Sequence, residues 1–190
     1  MKEICYICTR ITKYMMEKVT SIASYLLSRY YRVFGEKMDE IKLQKLLYFT
    51  QREAIIRTGE PMFDAEFRAW KYGPVIIEIH DRYKADDLHE DISEESLSRW
   101  KECLDYIFTE FASKKSMSLV SLAHGEKSWI RARAGIQKYE RSDVPMKLSD
   151  IYDDAEYRKQ RRASLPVRRA IHSFYQEHPE IQRVPVIHGL

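Results

Sequence analysis

The stretch IKLQKLLYFTQ (Ile41 to Gln51) decides the fold. Leu43, Leu46, Leu47, Thr50 and Ala54 recur at helical spacing and share one face. Ile41, Tyr48 and Ile55 lie on the opposite face, with Phe49 and Ile56 beside them. A surface helix has one apolar stripe. A helix apolar on two sides is either buried between layers, or packed on one side and offered to a partner on the other. The Leu43/Leu46/Leu47 face is core in both cases. The Ile41/Tyr48 face, with Lys45 beside it, is then either covered by later helices or left open.

Upstream, Val19, Ile22, Ala23, Leu26, Leu27 and Tyr30 mark an amphipathic helix, with Thr20 or Ser21 near its start. It ends near Phe34-Gly35, where glycine suits a left-handed cap. Asp39 stands where the central helix needs an N-cap. That helix runs to about Thr58 and stops at Gly59-Glu60-Pro61. Pro61 to Asp64 and Phe67 to Lys71 then read as two short extended pieces forming a small hairpin. Gly73-Pro74 ends them, and Pro74 suits the first turn of the next helix, which buries Val75, Ile76, Ile79 and Tyr83.

Past the acidic loop Asp86 to Asp91, Leu97, Trp100, Leu104, Ile107, Phe108 and Phe111 give the cleanest single stripe, hence a peripheral helix. Short helices follow at Ser118 to Ala123 and Ser128 to Ala134. A longer one runs from about Leu148 to Arg162, with Ile151, Tyr152, Ala155 and Tyr157 inward, and another begins at Pro166. The fold class is mainly α: a compact multi-helix domain around a central buried helix, with a small β-hairpin. Residues 1–17 form an N-terminal extension and 18–143 the helical domain. Residues 144–190 supply C-terminal helices and an extended tail packed on the same domain.

A chain of 190 residues with 44% hydrophobic residues supports one core, and 32% charged residues suit a soluble surface. The net charge of +3 is too near balance to imply nucleic acid by itself. Cys5, Cys8 and Cys103 do not make a disulfide scaffold, and Cys5-x-x-Cys8 has no second pair for a zinc knuckle. Reduced thiols point to the cytoplasm. No run approaches the roughly 18–20 apolar residues that span a bilayer, and Arg10 and Lys13 interrupt ICYIC too early for a signal peptide.

Reacting groups are sparse. There is no Gly-rich phosphate loop, GxGxxG, HExxH or GxSxG, and the chain has only 6 glycines. No two histidines pair at i,i+4. His124 sits where two short helices meet, five residues before Trp129, and reads as a structural histidine packed near that indole. Asp150, Asp153 and Asp154 share a helix and read as a solvated acidic face rather than a metal site. Arg158, Lys159, Arg161, Arg162, Arg168 and Arg169 could contact phosphates, but no helix-turn-helix or basic-zipper frame surrounds them. Lys42, Lys45, Trp70, Lys71 and Tyr72 crowd aromatic and cationic groups around a Gly-Pro turn, as recognition surfaces do. The expectation is a protein-binding domain without catalytic residues, metal or cofactor.

KLQKLLYFTQ (Lys42 to Gln51), PMFDAEFRAWKYGPV (Pro61 to Val75) and LVSLAHGEKSW (Leu119 to Trp129) occur in this order. Together they resemble the Panacea domain, the SocA-like family. Its pattern is KLQKLLYYAQ, a PLF segment, AWKYGPV and a distal Leu-rich TH…W motif. The resemblance spans about Val19 to Arg133. Members often continue the first motif with Gly-Trp, where this chain has Arg52-Glu53. They often place Thr before the motif histidine, where this chain has Ala123, and another proline where it has Ile77.

The resemblance implies a mostly α-helical domain with a small β element, acting as the antitoxin of a toxin–antitoxin system, of the kind found in phage and mobile elements. Its partner is a cognate protein toxin. One branch resembles a proteolysis adaptor that delivers the toxin to a AAA+ protease. The candidate partner-contacting residues are Lys42, Lys45, Tyr48, Trp70, Lys71, Tyr72, His124 and Trp129. The alternative is a nucleic-acid-binding regulator using the basic C-terminal region.

Overall fold

A computed structural model describes residues 16–137 and 140–177. Cys5, Cys8, His178, His188 and the apolar tail lie outside the described residues. The fold is mainly α, with seven helices and one two-stranded antiparallel sheet among the described residues. The chain divides into two compact units between Ala155 and Glu156.

The first unit begins with α1 (Val19–Phe34), closed by Gly35 at φ +71°, whose N–H donates to the Tyr31 carbonyl. Thr20 and Ser21 do not cap α1; their hydroxyls donate to Glu90. The central helix α2 (Glu40–Thr58) starts at Asp39, whose carboxylate accepts from the Lys42 N–H at 2.9 Å. Strand β1 (Arg68–Trp70) pairs with β2 (Gly73–Val75) across a two-residue turn, with Ala69 opposite Pro74. Then come α3 (Ile77–Lys84), α4 (Glu94–Phe111), α5 (Ser116–His124) and α6 (Lys127–Ala132). Helix α7 (Leu148–Glu177) starts in the first unit and carries the described part of the second.

Three local expectations change. The hairpin is built from β1 and the Gly73–Val75 segment, not from Pro61 to Asp64. Pro74 is therefore a strand residue, and the next helix starts at Ile77. A proline fits a two-stranded ribbon because one edge of each strand needs no ladder donor. The Pro61 segment instead meets the chain before α1: Phe63 bridges Glu17, whose N–H donates to the Met62 carbonyl at 2.8 Å. Finally, α7 continues through Pro166, where two helices were expected. Proline removes one donor, but its φ is helical, and well-forming flanks carry the helix across.

Helix α2 touches α1, α3, α4, α5 and β2. That neighbourhood buries every side chain from Lys42 to Ile55. On its Ile41/Tyr48 side, Tyr48 is covered, at 0% exposed, whereas Ile41 is half-buried. The peripheral helix α4 lays Trp100, Leu104, Ile107 and Phe111 against the core, and Phe111 stacks on Phe49 with ring centres 4.6 Å apart.

Candidate partner-binding site

A helix buried all round must satisfy each polar side chain it carries, because an unpaired buried polar group costs about 1–3 kcal/mol. In α2 Lys42, Gln44, Lys45, Tyr48, Gln51 and Arg52 become straps to other elements, whereas Thr50 Oγ1 is buried without a hydrogen bond. Gln44 pairs with both backbone groups of Ile76: Nε2 donates to its carbonyl at 3.1 Å, and Oε1 accepts from its N–H at 2.9 Å. Two turns on, Gln51 does the same for the Pro61 segment. Its Oε1 accepts from Met62 and Phe63 N–H, and Nε2 donates to the Phe63 carbonyl at 2.8 Å. Lys42 Nζ donates to the Tyr30 hydroxyl and the Ala112 carbonyl, tying α1 to the end of α4.

Two further straps hold the short helices. Arg52 Nη1 pairs with Glu126 Oε1 at 2.5 Å, with both side chains almost wholly buried. The Tyr48 hydroxyl meets Ser128 Oγ and donates to Asp154 Oδ2, each at 2.9 Å. Asp154 also accepts from the Lys127 and Ser128 N–H groups, so a carboxylate from α7 caps the start of α6. Burial pushes the Tyr48 phenol well above its ordinary pKa, with the Glu126 and Asp154 charges adding to it, so it stays a donor. Asp154 is therefore not part of a solvated acidic face. Asp153 is exposed and Asp150 half-buried, and both accept from Arg131.

Lys45 is the strap that lies beneath the hairpin turn. Its Nζ donates to the Pro74 carbonyl at 2.8 Å, and the residue is 1% exposed. Its stem crosses Gly73, where a Cβ would lie 2.6 Å from Lys45 Cε, and Gly73 sits at φ +96°. Glycine is thus required twice at this turn, for conformation and for space. Burial lowers the Lys45 pKa to about 7, against the opposing charges of Glu40 and Asp39.

Lys45 lies in the floor of a groove of about 880 Å³ between the start of α2, the β-turn and α3. Trp70, Lys71 and Tyr72 form one wall and His80 and Lys84 the other, while Arg141 and Asp143 close an end. His80 Nδ1 meets Glu40 Oε1 at 2.5 Å, and its ring stands edge-on to Trp70 at 4.9 Å. Trp70 Nε1 donates to Asp143 at 3.1 Å. The wall is braced from behind by the third motif. Trp129 Nε1 donates to the Trp70 carbonyl at 3.0 Å, His124 stacks on Trp129 at 3.9 Å, and Arg133 Nη1 donates to the Ala69 carbonyl.

The three sequence motifs therefore meet in one construction: α2 as hub, the hairpin as groove wall, and the α5–α6 junction as its brace. Residues 43–130 match the family described as antitoxin SocA-like, Panacea domain. Over this segment the chain is similar to SocA-like Panacea domains. No curated protein and no solved structure matches it. The Panacea assignment suggests an antitoxin-type, non-catalytic role, and no helix among the described residues is long and apolar enough to cross a membrane.

Of the eight candidate contact residues, the fold brings Lys45, Trp70, Lys71 and Tyr72 together in the groove. Lys42 and Tyr48 are buried and strap neighbouring elements; neither offers surface. His124 and Trp129 stand behind the groove wall. The basic residues Arg158, Lys159, Arg161, Arg162, Arg168 and Arg169 all lie on α7 in the second unit, the side chain of Arg168 falling outside the described ones. Tyr157, expected inward, is exposed.

Sequence reasoning missed Gln44, Gln51, the Arg52–Glu126 pair and Arg133, and took the buried Asp154 for a solvated residue. A signal for the glutamines was present: two amides seven residues apart on a helix with no polar face must be bonded inward. Arg52, at the position where Panacea members often have glycine, finds its counter-charge in Glu126 of the third motif.

Proposed function

We propose that this chain is an antitoxin that neutralises a cognate protein toxin by direct binding, with the groove beside Lys45 as a contact surface. The observation that carries this reading is the Panacea match over the segment whose three motifs build and brace that groove. Exposed Tyr72 and half-buried Trp70 supply rigid aromatic area of the kind that anchors protein interfaces. A constant scaffold under a variable surface lets one fold meet different partners.

Co-expression with the product of the neighbouring reading frame tests the reading. That product should arrest growth alone and be harmless with this chain present, and the two purified proteins should associate. A neighbour that is harmless alone, or that never associates, refutes it. The mode of neutralisation is read from toxin level. A masked toxin persists on an immunoblot, whereas a toxin delivered to a AAA+ protease disappears in an antitoxin-dependent way.

A further inference from the structure

The groove carries more charge information than its aromatic wall. Four cations line it: Lys45, Lys71, Lys84 and Arg141. Its two carboxylates are already engaged, Glu40 by His80 and Asp143 by the Trp70 indole N–H. Lys71 leans over the Tyr72 ring, and Lys84 and Arg141 form no ion pair among the described residues. The Lys45 ammonium has three donors, and its hydrogen bond to Pro74 uses one. A volume of about 880 Å³ accepts several side chains at once.

We propose that this groove seats an acidic segment of the toxin, its carboxylates received by Lys71, Lys84 and Arg141 at the rim, above the buried Lys45 of the floor. The proposal rests on the antitoxin reading and says which chemistry the partner must present. A carboxylate above Lys45 supplies the counter-charge that burial denies it. Binding therefore draws a proton onto this amine, whose pKa in the free protein is about 7. The charged and titratable groups around Lys45 from the packed elements are Glu40 and Asp39 at the start of α2, His80 and Lys84 on α3, Lys71 and Tyr72 at the turn, and Arg141 and Asp143 at the groove end.

The experiment is isothermal titration of the neighbouring toxin into this chain at about pH 7, in buffers of different ionisation enthalpy. Wild type should bind with uptake of roughly half a proton, and Lys45→Met should bind without it. Lys71→Glu/Lys84→Glu/Arg141→Glu alters rim positions only and should lose at least about 100-fold in affinity with an unchanged melt. The neutral pair Lys84→Gln/Arg141→Gln, a gentler change, should lose about tenfold and keeps the test intact if the triple variant misfolds. Charge-reversed and neutral variants that bind within threefold of wild type overturn the proposal, as does tight wild-type binding with no proton uptake. Displacement of the toxin by fluorescein-labelled single-stranded DNA with the same cation dependence overturns it in favour of a phosphate ligand. Failure of wild type to bind at all counts against the antitoxin reading instead.

Discussion

Lys45→Met tests the electrostatics of the central helix directly. The ammonium is 1% exposed, and its pKa falls from 10.5 to about 7 because burial disfavours the charged form. Between those two values the unfolded chain holds a proton that the folded chain has lost. Stability then rises with pH across that window, and the full penalty is present below pH of about 7. At about 1.4 kcal/mol per pH unit, the full penalty is about 5 kcal/mol. The clean experimental range, from about pH 6 to about pH 9, covers about 2 to 3 kcal/mol of it. Methionine has similar length and no charge, and it forgoes the hydrogen bond to Pro74, a loss of about 1 kcal/mol. The variant should therefore match or exceed wild type at about pH 6 and fall behind as pH rises. Urea denaturation of both proteins along a pH series gives the comparison, and the difference between their stabilities isolates Lys45 from every other titrating group. Parallel curves, with that difference changing by less than about 0.5 kcal/mol, would refute a neutral-leaning buried lysine.

Other substitutions probe the remaining straps. Glu126→Ala strands the Arg52 guanidinium at a site where both partners are buried, and should cost about 3–5 kcal/mol by chemical denaturation; Arg52→Met/Glu126→Leu should recover much of that loss. Tyr48→Phe removes the hydroxyl shared with Ser128 and Asp154 and should lower stability by about 1–3 kcal/mol with toxin binding preserved. Gly73→Ala forces a Cβ toward the Lys45 stem at positive φ and should cost about 1–3 kcal/mol while weakening toxin binding, because the groove wall shifts. Lys45→Glu with Tyr48→Ala should abolish the cooperative thermal melt, since both positions are interior; a cooperative melt in that variant would mean α2 is not the centre of the fold.

Much of this domain is legible along the chain. Helical spacing around Leu43, Leu46 and Leu47 places α2 in the core, because apolar faces must be hidden from water whatever hides them. Gly35 and Asp39 mark helix ends through local chemistry, and both act as their residue types predict. The order of three short motifs points to the family whose model matches residues 43–130. These signals are local, or repeat at a fixed period, so one dimension suffices to read them.

The tertiary structure decided what covers the second face of α2 and which of its polar residues remain for a partner. Tyr48 meets Asp154, 106 positions away, and Arg52 meets Glu126, 74 positions away. No local pattern encodes such pairings. The same holds for Asp154, which looks solvated on its own helix and caps another. Lys45 shows the division most clearly. Its sequence position sets it beside a buried face, but its worth as a cation depends on the depth at which Gly73 and Pro74 enclose it. Periodicity reports whether a side chain points toward the core. Dielectric surroundings and hydrogen-bond partners are properties of the assembled neighbourhood, and only the folded chain brings that neighbourhood together.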